Sequence, residues 1–416
     1  MTATSLSYDA AWENQAATPA RQDRIAQSLL WAVFISVSVF QRFAIRAGEG
    51  QIAIAFVLSM AALAVLLISG RISINPLRLV MFCWMSAMLV ATLTVALAGY
   101  SVASMALMLA IALPYVFQIR RGMLDPLEPL RQFRTLVSGL AVLGVVQFFA
   151  QFVVGQQLAY PLDTFLPKDV FLDNFNTLIP LYDGFSALKA NGVFLLEPSH
   201  FSQFVGMALV IELMVFASTP RLVLFVLALF VSFSGTGTSM VALFAPIVLV
   251  RQRRYGLLLV GVLGILAIAA AGSAIHLDIF LNRLQEFTST RASGFARFVG
   301  PFWFLGEYLF VDPMRMLFGM GAGSITAFLK QTAYFAHDTS WAKLMFEYGL
   351  VGFFAYMTFF VTAVFHRSNN LIVSGMIFYT FVLLGGYLLT PYMHCLFLAL
   401  SVWHRPATVA EDGVRA

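Results

Sequence analysis

Charge is what this chain lacks most. Only 11% of its 416 residues are Asp, Glu, Lys or Arg, against roughly 25% in soluble domains. That scarcity excludes a water-soluble enzyme of this size, and it excludes a disordered chain, which needs high charge and few apolar residues. Cysteine is nearly absent. Cys83 and Cys395 both sit inside apolar stretches, so no disulfide-stapled secreted domain is encoded. The formal net charge of +5 is dispersed, and the densest basic group, Arg251, Arg253 and Arg254, lies between two apolar segments. It reads as a topology anchor, which argues against a nucleic-acid partner. No His/Cys/Asp spacing suggests a metal, no Ser-centred nucleophile elbow occurs, and no internal repeat is visible. The first twenty or so residues are polar, without the pattern of a cleaved signal peptide.

Apolar residues are what the chain has, at 60% of the total and a mean hydropathy of +0.85. A helix needs about 20 apolar residues to cross a hydrocarbon core of roughly 30 Å. Runs of about that length cover 28–45, 52–69, 79–98, 103–119, 135–156, 198–217, 256–275, 340–364, 371–388 and 389–403. The stretch 222–250 holds two shorter runs around the polar tip 232–239, each rising only about 20 Å. They read as two short spans or as one re-entrant hairpin. The expected fold is therefore an all-α polytopic membrane protein with about 12 transmembrane helices, or 10 plus a hairpin. A single membrane domain, 27–404, follows an N-terminal tail, 1–26, and precedes a C-terminal tail, 405–416.

The arginines orient it. Arg21, Arg24, Arg71, Arg78, Arg120, Arg121, Arg131, Arg134, Arg221, Arg251, Arg253, Arg254, Arg367, Arg405 and Arg415 fall on one set of short loops and tails, and Arg46 alone on the other. The positive-inside rule makes the first set cytoplasmic, with both termini. Two long connections, 157–196 and 276–339, then lie outside on one face, where chemistry is expected.

Those connections hold the candidate residues. Lys189, Glu197 and His200 precede or open the run at 198, and Pro198 suits a first helical turn that favours a nearby anion. The plainer reading makes Glu197 an acidic first-turn residue and Lys189 an interfacial anchor. Arg291 and Arg297 lie in a segment rich in aromatics and poor in acids. Arginines without a local carboxylate suit phosphate through their bidentate fork, or simply snorkel to the interface. The Gly-rich 317–323 run has no surrounding βαβ pattern, so it is no dinucleotide fingerprint; it reads as a tight turn, with pyrophosphate binding a lesser possibility. His337 can accept a hydroxyl proton near neutrality, tuned by Asp338 or Glu347. His276 and His200 share the outer face, whereas His366, His394 and His404 are expected at or near the cytoplasmic side.

Four ordered motifs, G-V-F-L-L-E-P-S at 192–199, S-G-x-x-R at 293–297, L-F-G-M-G-A-G at 317–323, and H-D-T-S-W followed by E-Y-G-L-V-G within 337–352, resemble the O-antigen ligase and Wzy-type polysaccharide polymerase superfamily. The E-P-S-H-F-S-Q-F stretch is most similar to polymerases of bacterial exopolysaccharide clusters. The resemblance covers about 185–355. It implies a GT-C-like, multi-pass enzyme of the bacterial inner membrane with its active site facing the periplasm. The implied reaction is metal-independent and needs no cofactor: a glycan is transferred from an undecaprenyl-pyrophosphate-linked oligosaccharide to a sugar hydroxyl. Implied partners are that lipid-linked donor, membrane lipid, and chain-length regulator and export proteins.

Carried over by position, the resemblance implies that Arg297 matches the arginine that holds the pyrophosphate and His337 the histidine that acts as general base or positions the acceptor, making these the catalytic pair. Lys189 stands where many members have arginine, which keeps the charge and loses the fork. Glu197 matches an acidic position of the exopolysaccharide branch. Arg291, His200 and Glu347 complete the substrate-binding candidates. A ligase that moves finished glycan to another acceptor shares the donor chemistry and stays open. So do a transporter or flippase, which would line a central path with ionisable groups such as Arg42, Glu212 and Glu347, and a non-catalytic scaffold.

Overall fold

The computed structural model describes residues 23–47, 50–96, 98–173, 175–181, 186–270, 288–290 and 292–404. The expected C-terminal tail, most of the N-terminal one, His276 and the candidate Arg291 lie outside these described residues.

Helices dominate, and each apolar run contains helix among the described residues. Four are long and apolar enough to cross a membrane: Pro76–Leu93, Glu128–Val153, Pro198–Phe216 and Ser340–Phe365. The sequence spends its capping residues where helices begin. Asp23 accepts from the Ile25 and Ala26 amides at 2.9 and 3.1 Å, and Asn75 accepts from Arg78 at 3.2 Å with Pro76 next to it. Side-chain oxygens there satisfy amides that the helix itself leaves orphaned. Large apolar side chains stay exposed along the outward faces, among them Ile68 at 88% and Val153 at 85%. Water would not tolerate such a surface, and a lipid-facing helix requires it.

Most other helices are shorter than the runs they occupy, because the runs also build turns. Arg24–Val39 stops where 28–45 was expected to continue. The chain turns at Phe40, and Ala44–Ala47 pairs antiparallel with Gly50–Ala53. Val102–Ala112 tightens into a 3-10 turn around Pro114 and leads into Phe117–Ile119, which pairs antiparallel with Ile72–Ile74. These two small sheets correct the all-α expectation: their residues are apolar enough for a span and β-branched or aromatic enough for a strand. Leu371–Tyr379 loosens into a π turn through Leu384 and ends at Gly385, before Pro391 starts the next helix.

The loops gather at two ends. At one, Arg71 pairs with Asp23 at 2.8 Å, Arg120 donates its amide to the Arg71 carbonyl at 2.9 Å, and the Arg78 guanidinium donates to the Val402 carbonyl at 2.7 Å. Ile119 donates to the Trp403 carbonyl at 2.7 Å. The first and last described residues, Asp23 and His404, thus share an end with the arginine-bearing loops. At the other end, Arg46 pairs with Asp169 at 2.9 Å on the surface.

At the centre, Pro198–Phe216 is the most buried of the four long helices. Thr219–Ser232 and Gly235–Arg251 run alongside it, joined by a tip that reaches its first turn. There Thr236 Oγ1 donates to the Ser199 carbonyl at 3.0 Å, and the Gly237 amide donates to Ser202 Oγ at 3.0 Å. A side chain at Gly237 would run into the Ser202 carbonyl, and one at Gly206 would meet the Gly237 carbonyl at 2.8 Å. Glycines at the crossing let the two backbones touch.

The connection 157–196 is no simple overhang. Its last part enters the bundle as irregular backbone, with Ala190, Asn191 and Leu195 wholly buried. Glutamines meet its needs. Gln147 Oε1 accepts from the Asn191 and Val193 amides at 3.1 and 3.3 Å. Gln151 bonds both the amide and the carbonyl of Leu188, and Gln41 accepts from the Leu196 amide at 3.1 Å. In an apolar surround each unmet group would cost several kcal/mol, so these three side chains make the buried loop possible. Arg42, 1% exposed, ties the loop down further by its buried ion pair with Asp163 and a 3.1 Å bond to the Val193 carbonyl.

Candidate active site

The loop end opposite the arginine-bearing loops brings four segments together: the start of the Pro198 helix, the short helix Ser293–Phe298, the turn before Ser340, and the turn 385–390.

Ser293–Phe298 buries Phe295 and Ala296 and leaves Arg297 half-buried. The turn that carries His337 is stitched to it. The Phe335 amide donates to the Thr290 carbonyl at 2.9 Å and the His337 amide to the Ala296 carbonyl at 2.8 Å. Gly300 allows this contact, because a side chain there would sit 2.5 Å from the Phe335 carbonyl. Aromatic rings clamp the pair of segments: Phe295 against Trp303, Trp303 against Tyr334, and Phe302 against Trp341, with centroids 4.7–5.6 Å apart. These spacings are those of edge and offset ring packing. The same turn then docks on 385–387. Ser340 donates to the Gly385 carbonyl at 3.2 Å and accepts from the Tyr387 amide at 2.9 Å.

Charge converges on this junction. The Arg297 guanidinium acts electrostatically on His337, His200 and Tyr387, and the Glu197 carboxylate acts on the same three. Among the described residues Arg297 forms no hydrogen bond or ion pair. Glu197 precedes Pro198 and accepts from Ser199 Oγ at 3.0 Å and from the Asn176 amide at 3.3 Å. The His337 side chain is open to solvent although protein crowds it. Its pKa lies below the ordinary 6.5, first through partial loss of water and then through the Arg297 cation, with Asp338 and Glu197 opposing. A neutral imidazole beside an unpaired guanidinium can accept a proton while the guanidinium holds an anion.

His200 is 4% exposed and bonds the Tyr392 hydroxyl through Nε2 at 3.0 Å, among the rings of Phe175, Tyr387 and Tyr392. It is a buried part of the junction, unlike the exposed His337. One turn on, Gln203 accepts from the Tyr387 hydroxyl at 2.8 Å. Glu347 is deeper still, 1% exposed, and pairs with Lys343 at 3.1 Å. Lys189 is fixed through its backbone, its amide donating to Ile179 and its carbonyl accepting from Tyr160 at 3.0 Å; it belongs to the neighbouring loop wall.

The Gly-rich run forms the tight turn expected of it. Gly349, at φ +63°, breaks the helical backbone within Ser340–Phe365, and the run folds into the gap. Met320 and Gly321 donate to the Phe346 and Glu347 carbonyls at 2.8 and 3.0 Å. The Met320 and Gly321 amides are therefore engaged by protein.

Two features went unread in the sequence. Lys343, 6% exposed, lies between Glu347 and Asp338, 3.6 Å from the latter; its i, i+4 spacing to Glu347 was the available signal. His394, expected near the arginine-bearing end, instead bonds the Tyr387 carbonyl through Nε2 at 2.9 Å and the Tyr115 hydroxyl through Nδ1 at 2.8 Å. It thereby ties the turn 385–390 to the segment that leads into Phe117–Ile119, one turn after its helix starts at Pro391. His404, by contrast, lies beside Arg120 and Arg121 as expected.

Compared with family profiles and with curated proteins, the chain matches none.

Proposed function

We propose that this chain is an integral-membrane glycosyltransferase. In this reading it passes glycan from a polyprenyl-pyrophosphate carrier to a sugar hydroxyl, joining oligosaccharide repeats into exopolysaccharide. The observation that carries the reading is the convergence of Arg297, an unpaired cation, with His337, a solvent-reaching imidazole held neutral, although 40 positions separate them in sequence.

The chemistry needs both. As the bond between the anomeric carbon and the pyrophosphate breaks, negative charge grows on the leaving oxygen, and a fixed guanidinium stabilises it. The acceptor hydroxyl loses its proton to the His337 imidazole as its oxygen attacks the anomeric carbon. Glu197, at the same junction, would orient the acceptor or offset charge on the imidazolium that forms. A donor carried by lipid is suited to a site at the loop end of a helical bundle.

The reading includes twelve crossings, with the arginine-bearing end cytoplasmic and the junction outside. The hairpin 219–251 counts as two crossings, since its tip lies level with Ser199 and its base with Glu212–Ser218. A transporter is less well supported, because the ionisable groups that would line its path are neutralised by neighbours: Arg42 by Asp163, Glu212 by Arg134 and Glu347 by Lys343. The test is purified protein reconstituted in vesicles and supplied with lipid-linked repeats alone. Chain growth supports a polymerase, growth only on adding a second glycan acceptor supports a ligase, and no transfer in either case overturns the reading.

A further inference from the structure

We infer that Lys343 is a positioning residue for His337, acting by holding the Asp338 carboxylate in place between its own ammonium group and the backbone at Gly386. The inference rests on His337 being the base proposed above.

Three contacts define the arrangement. Lys343 Nζ lies 3.6 Å from Asp338 Oδ2 and 3.1 Å from Glu347 Oε1. The lysine is almost buried, whereas 44% of the Asp338 side chain remains exposed. Asp338 also abuts Gly386: a side chain at that position would meet the Asp338 carbonyl at 2.7 Å and Oδ1 at 3.0 Å. The carboxylate next to His337 is therefore gripped from one side by a cation anchored through Glu347, and fitted on the other against a residue that has no side chain.

A carboxylate free to swing toward an imidazole favours the charged ring, and a carboxylate held by an ammonium does so less. The charged groups that face His337 are Arg297 from the Ser293 helix, Asp338 from its own turn and Glu197 from the start of the Pro198 helix. Lys343 is not among them, so its influence runs through Asp338. Glu347 sets the anchor's position, and its backbone carbonyl accepts from the Gly321 amide of the Gly-rich run at 3.0 Å. This gives that run and the E-Y-G segment a share in the site without any contact to substrate.

The experiment reads the imidazole directly. The full-length protein in detergent is treated with diethyl pyrocarbonate, which modifies neutral imidazole, and the rate at His337 is followed by mass spectrometry across pH. The wild-type midpoint should fall below 6.5. Lys343→Met should raise it by about half a pH unit or more, Asp338→Asn should lower it, and Lys343→Arg should leave it near wild type. In the Asp338→Asn background, Lys343→Met should produce no further shift. An unchanged midpoint in Lys343→Met overturns the inference, and so does an equal upward shift with or without Asp338. Should Lys343→Met fail to accumulate because Glu347 is left buried and unpaired, Lys343→Met/Glu347→Gln removes both charges and carries the same readout. Labelling does not depend on glycan transfer, so failure of the proposed reaction and failure of this inference are separately visible.

Discussion

The His337 amide donates to the carbonyl of Ala296 at 2.8 Å, and Ala296 immediately precedes Arg297. One backbone hydrogen bond thus brings together the two segments that carry these side chains. The register of that contact decides whether cation and imidazole face a common substrate, and the aromatic clamp of Phe295, Trp303 and Tyr334 holds the register.

Activity should fall on the acid side later than an ordinary histidine would dictate. The fold holds His337 neutral by lowering its pKa below 6.5. The base is therefore fully available above 6.5 and is lost as pH falls through the lowered value. A pH profile of glycan transfer by the purified protein should show an acidic limb centred below 6.5. His337→Ala should lower the rate by about 10²–10⁴-fold. A limb centred above 6.5 would count against His337 as the base.

The tip of the 219–251 hairpin should be reachable from the junction's side. Its residues bond Ser199 and Ser202 at that end. Cysteine placed at Ser234, in a background with the exposed Cys83 replaced by Ser, should react with an impermeant maleimide added outside intact cells. Protection from outside with labelling from the cytoplasmic face would reverse the orientation.

Gly237→Val should destabilise the protein by on the order of 3 kcal/mol, because the new side chain must displace the Ser202 carbonyl in a tightly packed crossing. Thermal unfolding of the purified variant in detergent checks this. Activity should fall with the folded fraction rather than through the site, whose charged groups the substitution leaves alone.

Much of the bundle was legible because a 20-residue apolar run has few places to go, and the arginine asymmetry grouped the loops as the hydrogen bonds of Asp23, Arg71, Arg78 and Arg120 do. Helix ends were harder to read. Nothing in the composition of 40–53 or 113–119 separates the end of a span from a short strand, since the same Ile and Phe residues suit both. Gln41, Gln147 and Gln151 drew no reading, because the backbone they serve lies 37–155 positions away. Arg297 and His337 were linked only through resemblance of motifs; their meeting depends on Gly300 permitting a close backbone approach, which no periodicity reveals. Lys343 went unread, and its burial follows from Asp338 and Glu347 lying on either side of it.

Most directly, the account stands on a double-mutant cycle between Arg297 and His337, read as single-turnover release of the lipid pyrophosphate by reconstituted protein. Arg297→Ala should cost about 10²–10³-fold, with normal membrane levels because no partner is left unpaired. The double variant should lose far less than the product of the single losses, since the two groups act on one transition state. Fully multiplicative losses, or a wild-type rate in either single variant, would contradict it.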